Sequence, residues 1–153
     1  MSTAETAHGV INRSNPKGGN DYLFRVSLKA VVLNEAGHIL TVREHGHDWW
    51  DLPGGGMDHG ETIEGALARE LKEEVSLEGD FTYELIHAED PRYSIDHKVY
   101  QIRLVFLIKT VETNFKPGED CNEIRFIDAD AFKDSTMIQE HKIFEYSQIA
   151  KSR

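Results

Sequence analysis

The chain is poor in the residues that staple a small protein. It has a single cysteine, Cys121, among 153 residues, and only four prolines. One thiol excludes an internal disulfide, fits a reducing compartment, and with no partner in view reads as inert. Long hydrophobic runs are missing as well. The best, Leu104 to Ile108, falls far short of the roughly 18 apolar residues of a membrane span and suits a buried strand instead, so no membrane partner is expected. Residues 1–21 carry no basic start followed by an apolar block, which argues against a secretory signal and makes the cytoplasm the expected location. Positive charge is scarce too: 17 Lys and Arg stand against 27 Asp and Glu, for a formal net charge of −10. That balance disfavours a sequence-independent grip on a nucleic-acid polymer, which needs clustered cations.

What remains is a soluble globular composition, 39% hydrophobic and 29% charged, of a length that suits one domain. Residues 1–21 read as a flexible N-terminal segment and 22–153 as a single domain. Leu23–Leu33 has strand character. Asn34–Gly37 reads as a turn, and His38–Arg43 as a second strand, which predicts a hairpin. Trp49–Leu52 reads as a short strand stopped by Pro53 and three glycines. Thr62 is a suitable N-cap for a helix running to Val75. Strands are expected at Phe81–Ala88, Lys98–Val111 and Ile124–Ile127, then a short helix from Asp128 and a terminal helix over Met137–Ala150. In that last helix Ile138, Ile143, Phe144 and Ile149 are the candidate inward positions. Interleaved strands and helices indicate an α/β fold with a mixed sheet between helices.

Chemistry concentrates on the first helix. At about 100° per residue, Leu67, Ala68, Leu71 and Val75 share one arc, and Glu70, Glu73 and Glu74 share the next. Three carboxylates at this spacing repel one another unless a cation sits among them. A hard divalent ion such as Mg²⁺ takes such oxygen ligands and bridges to phosphates.

Upstream residues sharpen this. From Gly55, five residues lead to Glu61, and seven more to Arg69-Glu70, followed by Leu71, Lys72, Glu73-Glu74, Val75, Ser76 and Leu77. The pattern closely resembles the Nudix box, with Ser76 where that family usually has Gly. Because Gly suits a left-handed cap better than Ser, the substitution predicts altered helix termination rather than lost chemistry. The resemblance implies an α/β/α sandwich. It also implies a Mg²⁺-dependent hydrolase, with Mn²⁺ as a substitute, that cleaves the diphosphate linkage of a small nucleotide-like substrate. Glu70, Glu73, Glu74 and the carbonyl of Gly54 would ligate the metal. Arg69 and Glu61 would hold the loop and the ligands. Glu73 or Glu123 would act as base. For the substrate, Arg43 could touch phosphate, while Trp50 and Tyr93 could stack on a base. The family's frequent dimers make a homodimer an expected partner. A Nudix-fold module that senses a nucleotide without cleaving it is the alternative, disfavoured because no box acid is lost.

Overall fold

The computed structural model describes residues 23–153 and, ahead of them, the backbone of two short antiparallel strands, β1 (Thr3–Thr6) and β2 (Gly9–Asn12). The flexibility expected of residues 1–21 otherwise falls outside the described residues. The chain continues through β3 (Phe24–Val32), β4 (Ile39–Glu44), β5 (Gly54–Gly56), α1 (Ile63–Val75), β6 (Thr82–Ala88), β7 (Arg92–Ser94), β8 (Val99–Lys109), β9 (Cys121–Ile127), a 3₁₀ turn (Ala129–Phe132) and α2 (Ile138–Lys151).

The central sheet has the order β5-β3-β8-β6, with β7 also on β8. β3 and β8 run parallel and all other pairs are antiparallel, so the sheet is mixed. Alternation along β3 and β8 sorts their side chains to two faces. Leu28, Ala30, Val32, Phe106 and Ile108 join Leu67, Leu71 and Val75 of α1 in one buried cluster. Val31, Val105 and Leu107 join Ile143, Tyr146 and Ala150 of α2 in the other. The sheet is therefore sandwiched between the helices, as expected.

Three local expectations are corrected. β3 and β4 form no hairpin ladder: after one bridge, Leu33 to Ile39, they part, and β4 pairs with β9 in a separate two-stranded ribbon. Apolar residues on both faces of β3 suit it for a central strand, and its long partner is β8. Trp49–Leu52 is not a strand, since only Asp51 bridges to Val42. Inward positions also shift. Ala66 rather than Ala68 is buried on α1, and on α2 Ile138 is exposed while Tyr146, Ser147 and Ala150 turn inward beside Ile143.

α1 starts as anticipated, with the Thr62 hydroxyl accepting from the Gly65 N–H at 3.0 Å. It ends at Ser76, which holds the left-handed conformation at φ 60°, ψ 30°. The expected change in termination is absent. The left-handed cap is kept, on a residue for which it costs about 1–2 kcal/mol. The carbonyls that the last turn cannot satisfy internally are met from afar. The Lys116 N–H donates to Val75 O at 3.2 Å, the Gly118 N–H to Glu74 O at 2.9 Å, and the Cys121 thiol to the same oxygen at 2.9 Å. Gly118 is obligatory there, because a Cβ at that position would lie 1.8 Å from Glu73 O.

Candidate active site at the first helix

The turn between Pro53 and Thr62 brings β5 against α1. Gly54 adopts φ 139°, a conformation that favours glycine, and a Cβ there would lie 1.9 Å from Leu28 O. Its N–H donates to the Glu74 carboxylate at 2.6 Å. One residue on, the space beside Gly55 is filled by Glu70: a Cβ would lie 2.6 Å from Glu70 Oε1. The glycines thus let backbone and carboxylates approach at a distance no side chain would allow.

Glu70 and Glu74 do not ride on an open face of α1. They are 8% and 4% exposed and sit on its buried stripe, whereas Glu73 is half-buried. Burial pushes the Glu74 carboxyl up to about 8, against the opposing pull of Lys29 and the Gly54 N–H. Burial also raises Glu70, while Arg69 counteracts. Buried carboxylates this close together are costly unless positive charge reaches them.

Arg69 supplies part of that charge. Its Nε and Nη2 each donate to Glu61 at 2.8 Å, its Nη1 to Glu70 at 2.9 Å and to Glu73 at 3.4 Å, and its Nη2 also to Gly56 O at 3.0 Å. The forked guanidinium suits this multiple grip. Glu61 is further tied by the Asp58 N–H at 2.7 Å, and the Arg69 hydrogen bonds hold its carboxyl at about 2. The structure therefore brings together Gly54, Glu61, Arg69, Glu70, Glu73 and Glu74. Among the described residues, no set of three His, Cys, Asp or Glu already stands in ligating geometry; Arg69 Nη1 donates to both Glu70 and Glu73.

The other candidates lie apart. Glu123 is opposite Arg43 in the β4–β9 register, with ion pairs to Arg43 at 3.5 Å and Arg125 at 2.9 Å. Its neighbours Ile124 and Phe126 pack towards α1, so alternation turns Glu123 to the other face of the ribbon. Trp50 is only 7% exposed and belongs to the α2-side core, with the Arg43 guanidinium 4.3 Å from its ring centroid. Tyr93, on β7, is 50% exposed and meets Tyr100 edge-on at 5.5 Å.

Sequence reasoning missed Lys29. It lies on β3 with only 6% exposure, donates to Asp51 at 3.1 Å and to Leu52 O at 3.3 Å, and exerts a positive field on both Glu70 and Glu74. A lysine directly before the apolar run Ala30–Leu33 was the available signal.

A mixed sheet between two helices, with a glycine turn pressed onto an acidic helix, defines an α/β fold of the Nudix type. The NUDIX domain model matches residues 23–147, and the chain belongs to the Nudix family. An RNA pyrophosphohydrolase of Tolumonas auensis is 44% identical over 57 residues, 37% of this chain and 33% of that protein. The chain spans about a third of the length of the curated relatives it matches. Two solved structures share the fold. The Escherichia coli dihydroneopterin triphosphate pyrophosphohydrolase has a TM-score of 0.66 at 18% identity, covering 86% of this chain and 99% of that one. The NUDIX domain of Shewanella oneidensis NrtR, complexed with ADP ribose, has a TM-score of 0.67 at 17% identity, covering 92% and 94%.

Proposed function

We propose that this protein is a divalent-metal-dependent hydrolase that opens the diphosphate linkage of a nucleotide-like substrate by attack of water at phosphorus. The observation that carries the proposal is the approach of the buried Glu70 and Glu74 to Gly55 and Gly54, with Glu73 joined to Glu70 through Arg69. A hard cation fits this donor set, because the carboxylates are all-oxygen ligands and a cation would favour the ionised form that burial disfavours at Glu70 and Glu74. Glu70, Glu73, Glu74 and the carbonyl of Gly54 would hold Mg²⁺ or Mn²⁺. Such an ion, when bound, neutralises phosphate oxygens and makes water a better nucleophile.

The chain's own residues set the stage for it. Gly54 donates to Glu74 and so fixes that carboxylate's orientation. Arg69 is a positioning residue, tying Glu61, Glu70 and the Gly56 carbonyl into one unit. A carboxylate must take the proton of the attacking water. Glu73 is better placed for this than Glu123, since Glu73 sits among the other acids and Glu123 is engaged by Arg43 and Arg125.

The test is a panel of nucleoside triphosphates, ADP-ribose, nucleotide sugars and dinucleoside polyphosphates, assayed for released phosphate or pyrophosphate. Because the curated relatives that match include RNA pyrophosphohydrolases, RNA with a 5′-triphosphate belongs in the panel. Gripping one end of such a chain does not require the extended basic surface that the net charge argues against. Turnover that vanishes with chelator and returns with Mg²⁺ is expected. Full activity after rigorous metal removal would overturn the metal assignment, and binding without turnover of any substrate would favour a sensing module.

A further inference from the structure

The face of the sheet opposite α1 carries positive charge that the mechanism above leaves unused. In the β3–β8 register Arg25 stands opposite Gln101, and Ser27 opposite Arg103. On the flanking strands Gly56 faces Ser27, and Arg92 faces Gln101. Cross-strand partners share a face, and this one continues into Val31, Val105 and Leu107 beneath α2. Arg25 and Arg103 are therefore diagonal neighbours on this face of β3 and β8, close enough for Arg103 to bear on Arg25 electrostatically.

Neither is fully satisfied. The Nε atoms of Arg25 and Arg103 are both buried without a hydrogen-bond partner. Arg25 donates through Nη1 to Gln101, a neutral amide. Arg103 has Glu89 at 4.0 Å, but Glu89 is also held by Lys142. Burial lowers the Arg25 pKa from the usual guanidinium value, and Arg103 adds to that while Glu70 opposes it. A protein with a net charge of −10 that keeps two arginines together with unspent donors has the chemistry of an anion site. A phosphate can accept from the Nε and Nη2 edge of a guanidinium at once.

Position identifies which phosphate. Arg25 lies against Gly56, where a Cβ would be 2.5 Å from its Nη2. Glu70 lies against Gly55 in the same way, with a Cβ 2.6 Å from its Oε1. The two charged groups thus flank successive residues of β5 from its two sides, because neighbouring strand positions face opposite ways. Among the described residues β5 is an edge strand paired only with β3, so its outer edge is open. A diphosphate held at the carboxylates can reach Arg25 by extending its next substituent round that edge.

We propose that Arg25 and Arg103 form a subsite for a third phosphate, so that this protein prefers nucleotides bearing three or more phosphates over those whose diphosphate ends in a neutral sugar. The inference rests on the hydrolase reading for its preference among substrates, but the anion site itself does not. A neutral sugar at this place would leave both Nε donors unpaired, and unpaired buried donors discriminate strongly against the wrong ligand.

The experiment has two arms. The first titrates inorganic tripolyphosphate and pyrophosphate into the full chain in excess chelator, by calorimetry, so that no turnover is needed. The second measures kcat and KM with Mg²⁺ for a nucleoside triphosphate and for ADP-ribose. Arg25→Gln and Arg103→Gln should each weaken tripolyphosphate binding and raise KM for the triphosphate by roughly 10- to 100-fold. KM for ADP-ribose and kcat for both substrates should hold. Arg25→Lys should recover part of the loss. Thermal melts identify any variant that fails to fold, and the remaining variants then decide. Unchanged tripolyphosphate affinity, or equal losses on both substrates, would overturn the subsite. If nothing on the panel is turned over, the hydrolase reading fails, and the tripolyphosphate titration judges the subsite alone.

Discussion

The two helices that enclose the sheet are of similar length, 13 and 14 residues, yet they are held in opposite ways. α2 has no side-chain N-cap, and its buried residues include Ile143, Tyr146 and Ala150, packed on Val31 and Leu107. α1 is capped by Thr62, ends in a left-handed Ser76, and buries two glutamates along with its aliphatic residues. α2 is held chiefly by packing. α1 carries a load of dehydrated charge that packing, capping and a distant loop must offset. Stability and the proposed chemistry therefore pull apart on α1, while on α2 only stability is at stake.

Substitutions can break this comparison. The largest effect is expected from Ile143→Ala, a fully buried site, which should cost about 2–5 kcal/mol of stability in chemical denaturation while leaving kcat of the folded fraction unchanged. Glu74→Gln should do the reverse. Turnover should fall on the order of 10²- to 10³-fold, while the metal-free protein melts no lower than its parent, because a neutral amide can still accept from Gly54 and is cheaper to bury. Glu73→Gln should lose turnover to a similar degree but gain less in the metal-free melt, since that side chain is 41% exposed. Early melting of metal-free Glu74→Gln would show that the acid is structural.

Smaller changes sharpen the contrast. Ser76→Gly should raise stability by about 1 kcal/mol by relieving the left-handed cap, and no position on α2 offers that gain. The smallest effect concerns pH. The Glu61 carboxyl is depressed to about 2 from the usual 4.5, so its contribution is complete above the unfolded value and is lost as pH falls through about 2. Melts of Glu61→Gln and the parent should therefore differ at pH 6 and converge as the pH approaches 2. A gap that persists unchanged in strong acid would deny the carboxylate its part in holding Arg69.

Much of the architecture was legible, and the reasons are physical. The period of α1 and the Thr62 cap gave its limits to within a residue, because a helix bounded by a cap and a glycine-rich turn depends mostly on local sequence. The box placed Glu61, Arg69, Glu70, Glu73 and Glu74 together for the same reason. The β3–β4 hairpin was misread because β3 takes its central partner from β8, whose paired residues lie far along the chain. The helix wheel separated an apolar arc from an acidic one, but it could not show that β5 presses onto the seam between them and buries Glu70 and Glu74. Arg25 and Arg103 were invisible as a pair, since each alone reads as a surface strand residue and only the parallel register joins them.

The loop that meets the end of α1 ties that helix to a distant part of the chain. Glu74 and Val75 have their carbonyls satisfied by Lys116, Gly118 and Cys121, more than forty residues downstream. The end of α1 can close locally, through Ser76 N–H to Lys72 O and Leu77 N–H to Leu71 O, with water on its last carbonyls, but it exchanges that water for protein partners only when the loop closes over it. Long-range closures of this kind are slow relative to local helix formation. The seal over the acidic helix is thus a contact between distant parts of the chain, set by tertiary closure rather than by the helix itself.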